Sequence, residues 1–143
     1  MILIDANLLL YAYDASSRPH AAARRWLEAV LARPEPVGWS WVTLLAFLRI
    51  ATHPRALESP LSIEEAVTIV GEWLAQPNAT MLQPSPSHWD ILSALLPASQ
   101  ARGPLVTDAH LAALAIEHGA VLATTDRDFT RFPGVNWRNP LGI

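Results

Sequence analysis

Apolar runs too short to be helices alternate along this chain with longer stretches of helical period, and that alternation leaves few architectures open. Ile2–Asp5, Val37–Ser40, "ATMLQ" from Ala79, "AVLATT" from Ala120 and a brief "VNW" from Val135 read as strands. Between them, "PHAAARRWLEAVLA" places Ala23, Trp26, Leu27, Val30 and Leu31 on one face of a helix. Asn7–Tyr13 and "WVTLLAFLRIATH" read as further helices, the second stopped by Pro54. Ser62 and Glu65 have capping-box spacing ahead of Ala66, Ile69, Val70, Trp73 and Leu74. Ser87 and Asp90 open a helix that Pro97 interrupts, and "TDAHLAALAIEHG" predicts one capped by Thr107 and closed at Gly119. Strand and helix in alternation predict an α/β fold: residues 1–143 as a single domain, with a central, mainly parallel sheet flanked by helices.

The first strand raises a chemical question. Met1–Ile4 are apolar, and Asp5 interrupts before Leu8, Leu9 and Leu10 resume the hydrocarbon. A carboxylate among such neighbours is costly unless it is hydrogen-bonded, paired or bound to a cation. In an open α/β sheet, ligands bind beyond the carboxyl ends of the strands. Asp5 follows the first strand and Asp126 follows "AVLATT", so both belong to that edge. Asp108 reaches the same level by arithmetic. About eleven residues of helix descend roughly 16 Å, and about five residues of strand climb back by as much.

Singly, Asp108 could be an acid complementing a helix dipole, and Asp126 and Asp128 solvated turn residues. Together on one edge they repel, and a hard divalent cation relieves that repulsion. With no cysteine in the chain, oxygen ligands favour Mg²⁺, with Mn²⁺ as substitute. Asn7 and Thr125 could orient a carboxylate or be an ordinary cap and turn residue. The histidines read as surface or satisfied groups, and the six tryptophans as packing.

Composition narrows the classes. Hydrophobic residues make up 51% and charged ones 16%, which excludes disorder. No apolar run approaches the ~20 residues of a membrane span. Without cysteines or a signal-peptide pattern, a cytoplasmic protein is expected. A net charge of −3 argues against nucleic-acid binding by bulk charge alone, although every basic residue is arginine.

The stretches "ILIDANLLLYAYD", "WVTLLAFLRIATHP" and "LVTDAHLAALAIEHGAVLATTDRDFTRFPGVNW" resemble the PIN-domain ribonucleases, in particular the VapC toxins of bacterial type II toxin–antitoxin systems. The likeness lies in D-x-N after the first strand, T-D-A at a helix start, and T-x-D-x-D-F after the last core strand. It implies a Mg²⁺-dependent endoribonuclease with Asp5, Asp108 and Asp126 catalytic. Asp5 and Asp108 would be the metal ligands and Asp128 a supporting acid. It also implies a homodimer and a small antitoxin whose C-terminal segment enters the acidic cleft, its arginine blocking the acids.

One departure stands out. The family pattern E-L-x-R falls on Ala46-Phe47-Leu48-Arg49, so Ala46 replaces a glutamate. One principal cation is therefore expected rather than two. The alternative reading is a catalytically weakened PIN fold that binds RNA or dimerises. A phosphotransfer domain of another α/β family fits poorly, because the chain has no lysine.

Overall fold

A computed structural model describes residues 1–143. Its strands are β1 (Ile2–Ile4), β2 (Val37–Trp39), β3 (Ala79–Met81), β4 (Val121–Ala123) and β5 (Trp137–Arg138). They form one sheet of order β3-β2-β1-β4-β5 in which every pair is parallel. The helices are α1 (Ala6–Ala12), α2 (His20–Ala32), α3 (Trp41–Ala51), α4 (Ile63–Leu74), α5 (His88–Ser99) and α6 (Pro104–Glu117), with a 3₁₀ segment at Arg127–Arg131. The expected α/β class holds.

Alternation along each short strand divides the core in two. Ile4 and Ala123 turn to one face, where α1 to α4 pack in a cluster with Trp39, Phe47 and Trp73. Leu3 and Leu122 turn to the other, against Leu105, Leu111 and Leu114 of α6 together with Phe129 and Phe132. The Trp39 and Trp73 rings stack 5.2 Å apart and 6° from parallel. In β2, a side chain on Gly38 would put its Cβ 2.8 Å from the end of the Leu82 side chain, which would have to shift to make room.

Two helix boundaries differ from the sequence reading. Pro97 lies inside α5, which continues to Ser99. The proline is exposed, so water can take the carbonyl its ring deprives of a partner. Helix α6 begins at Pro104, not behind Thr107. Gly103, at φ 59° and ψ −136°, turns the chain into it, and proline at the first helical position has no amide hydrogen to satisfy. Asp108 thus sits in the second turn of its helix rather than the first. The capping box of Ser62 and Glu65 is present as read, and Gly119 follows α6 at φ 64°.

Tryptophan is not uniformly a packing residue here, since Trp41 and Trp89 are exposed. His88 and His110, from α5 and α6, satisfy one another with Nε2 to Nδ1 at 3.0 Å. The Glu117 carboxylate accepts from His88 Nδ1 at 3.0 Å.

Candidate active site

The strand order reverses at β1: β2 and β3 lie to one side, β4 and β5 to the other. The crevice at the carboxyl end of such a switch point is where open α/β sheets bind ligands. Asp5 stands there. Its amide donates to the Ala123 carbonyl at 3.0 Å, continuing the β1–β4 ladder by one bond. Asp5 also caps α1, Oδ1 accepting from the Ala6 amide at 2.7 Å.

The second carboxylate oxygen accepts from the Thr124 hydroxyl at 2.8 Å. Thr124 is fully buried. Its oxygen accepts in turn from Asn7 Nδ2 at 3.2 Å and the Asp126 amide at 3.0 Å. One hydroxyl therefore ties β1, α1 and the turn after β4 together. Burial still pushes the Asp5 carboxyl above its ordinary pKa, outweighing the hydrogen bonds from Thr124 and Ala6, and the nearby Asp126 adds to the rise.

Asp108 projects from α6 into the same cleft, a hollow of about 590 Å³ that Asp5, Ala46 and Arg49 also line. No protein group donates to its carboxylate. Partial burial, and then the charges of Asp5, Asp126 and Asp128, push its pKa up to about 6. On its far side Asp108 lines a second hollow of about 440 Å³, shared with Asp126, Asp128, Arg102 and Arg131. Asp126 turns one oxygen to the Asp128 amide at 2.9 Å and caps the 3₁₀ segment. Ala46 does face the acids, so its methyl stands where the family pattern carries a glutamate.

Of the residues singled out in the sequence, Asp5, Asp108, Asp126 and Asp128 converge, and Asn7 reaches them through Thr124. The hydroxyl that holds Asp5 belongs to Thr124 and not to Thr125, whose side chain bonds to none of the acids. In "ATT" the two threonines are equivalent until the strand's end is known; β4 ending at Ala123 settles which one turns inward.

The donor set suits a hard cation. Asp108 has lone pairs that no protein donor uses, and the buried Asn7 Oδ1 likewise has no protein partner. No three His, Asp or Glu side chains come close enough to enclose an ion by themselves. A cation here would take two carboxylates and complete its shell with water or substrate oxygens, the habit of Mg²⁺.

Similarity to known proteins agrees with this geometry. The PIN domain family model matches residues 2–135. Ribonuclease VapC37 of Mycobacterium tuberculosis is 46% identical over 140 residues, spanning 98% of this chain and 97% of that protein. The structure of M. tuberculosis VapC20, described as a sarcin–ricin-loop-cleaving toxin, superposes with a TM-score of 0.68 at 17% identity, covering 95% of this chain and 99% of that one. A chain of a toxin–antitoxin complex from Klebsiella pneumoniae gives 0.64 at 21% identity, covering 98% of each. The chain belongs to the PIN-domain family, in its VapC ribonuclease branch. No helix is long and apolar enough to cross a membrane.

Proposed function

We propose that this chain is the toxin of a toxin–antitoxin pair, a cytoplasmic divalent-cation-dependent endoribonuclease that hydrolyses RNA phosphodiester bonds at Asp5 and Asp108. The observation that carries the reading is the pair itself. Two carboxylates face one cleft at the switch point of the sheet, and both are held above their ordinary pKa. Carboxylates so disfavoured as anions gain most from a cation between them.

Asp5 and Asp108 would hold Mg²⁺, or Mn²⁺ in its place. When bound, the ion polarises water and neutralises charge on the phosphoryl group. The chain's own groups do the positioning. Thr124 and the Ala6 amide occupy one lone pair on each Asp5 oxygen, which fixes the carboxylate's orientation and leaves the remaining lone pairs toward the cleft. Asn7 fixes the Thr124 hydroxyl, and Asp126 and Asp128 add negative potential beside Asp108.

An antitoxin segment carrying arginine suits this cleft, since a guanidinium pairs with a carboxylate in bidentate fashion. Leu45, which lines the cleft, and Trp41, one turn earlier on α3, are 59% and 51% exposed. They offer apolar surface to such a segment or to a second copy in a homodimer.

The test is cleavage of total RNA, with ends mapped, in Mg²⁺ and in EDTA. Cleavage that needs the cation and disappears in Asp5→Asn and Asp108→Asn supports the reading; cleavage that survives either change sinks it. Ala46 favours a second reading, a weakened nuclease that arrests translation by gripping RNA. RNA binding and growth arrest indifferent to EDTA would select it. Crystals soaked in Mn²⁺ should show one fully occupied ion, and Ala46→Glu should recruit a second.

A further inference from the structure

We propose that Arg49 on one side of the acidic centre, and Arg102 with Arg131 on the other, are positioning residues that hold a single RNA strand across the site by its phosphates. The inference rests on the nuclease reading above and concerns how that site holds a polyanion.

The difficulty to be met is electrostatic. Four carboxylates at one edge of a chain with net charge −3 repel a phosphate backbone before it arrives. Asp108 is the shared wall of two hollows, and each contains at least one guanidinium group. The larger, toward α3, has Arg49; the smaller, toward the 3₁₀ segment, has Arg102 and Arg131.

None of the three is committed elsewhere. Arg24, paired with Glu28, is the one arginine of the chain in an ion pair. All three are exposed. Arg102 and Arg131 share their hollow with Asp126 and Asp128 and still pair with neither. They keep their donors for something else.

The backbone also presents Arg102 deliberately. Gln100, at φ 54°, is the one non-glycine residue with positive φ, and Gly103 follows at φ 59°. These two left-handed residues bracket the short turn carrying Arg102. That turn sits at the amino end of α6, whose dipole adds positive potential to the same hollow.

A strand crossing from one hollow to the other passes its scissile phosphate over Asp108, with neighbouring phosphates on Arg49 at one end and on Arg102 and Arg131 at the other. Arginine suits the role because its planar fork meets phosphate in bidentate fashion.

The test is binding of a fluorescein-labelled, mixed-sequence oligoribonucleotide of about twelve nucleotides, in EDTA, as salt is varied. Arg49→Gln should lower the slope of log K against log salt by about 0.7, and the Arg102→Gln/Arg131→Gln double variant by about 1.4. Arg49→Lys should restore the slope, and Arg25→Gln, on the exposed face of α2, should leave it unchanged. In Mg²⁺ the same variants should lose cleavage through KM, with kcat and melting temperature kept. Substrates shortened on one side of the cut should lose sensitivity to one arginine group only.

If the native chain cleaves RNA while the variants keep its slope and KM, the two-sided grip is wrong and the nuclease reading stands. If both groups respond to the same truncation, the crossing path is wrong. If the native chain cleaves no RNA yet binds it with these slopes, the nuclease reading fails and the grip survives.

Discussion

Helix α6 carries one carboxylate in its second turn and another at its last residue, and the two are treated in opposite ways. Glu117 is 2% exposed at its side chain. It accepts from the Ser85 amide and hydroxyl, each at 3.2 Å, and from His88 Nδ1 at 3.0 Å. With both rings neutral, that bond places the His88 proton on Nδ1 and leaves Nε2 to accept from His110. Asp108 has no donor at all and three acids nearby. A satisfied carboxylate joins α5 to α6; an unsatisfied one faces the cleft without a donor. The same helix thus contributes stability at one end and, on the proposed reading, chemistry at the other, at some cost in stability there.

The largest effect that could break this contrast is on catalysis. Asp108→Asn should reduce RNA cleavage by about 10²–10³-fold or more, whereas Glu117→Gln should leave it near the native rate, both measured at saturating Mg²⁺. Equal losses would mean the two carboxylates are not different in kind. Next comes Thr124→Val, expected to cost about 10–100-fold in cation affinity or activity by releasing Asp5, with titration calorimetry of Mn²⁺ as the readout.

Stability should move in the opposite sense. Glu117→Ala leaves His88 and Ser85 without their buried acceptor and should destabilise by about 1–3 kcal/mol for each group left unsatisfied. Asp108→Asn should raise the melting temperature of the cation-free protein at neutral pH, because it removes a repelled anion.

Titration sharpens the contrast further. Asp108 keeps its proton to about pH 6 when folded against 3.8 when unfolded. The native state therefore holds more protons across that window, and stability of the cation-free protein falls as pH rises through it. His110 lies below its ordinary 6.5, chiefly through burial and then the neighbouring His88. The unfolded chain takes up that proton first, so this contribution is lost as pH falls below 6.5. Melting curves against pH should show Asp108→Asn abolishing the first slope and His110→Gln the second. The smallest effect is expected for the exposed Asp128→Asn, within about 0.5 kcal/mol of native stability.

Much of the molecule was legible in the residues. Strand and helix alternation carried the parallel α/β fold, because the two periods follow from where Cβ atoms point. Asp5 and Asp126 were placed at the carboxyl edge by following strands, and Asp108 by the chain length between it and Asp126. The boundaries that slipped did so for local reasons. Gly103 and Pro104 started α6 a turn before Thr107, and an exposed Pro97 was tolerated within α5.

What the tertiary structure alone decided were relations between distant segments. Thr124 rather than Thr125 faces Asp5 because β4 pairs with β1 in a register that sets Ala123 opposite Ile4. His88 meets His110 and Glu117 only because α5 and α6 pack side by side. The strand order that puts the acids at a switch point depends on which side of β1 the fourth strand enters, and no local periodicity encodes that choice. The sequence determined which side chains could carry charge to the sheet's edge. Packing determined which of those charges were satisfied and which were left without a donor, because satisfaction depends on donors arriving from elsewhere in the chain.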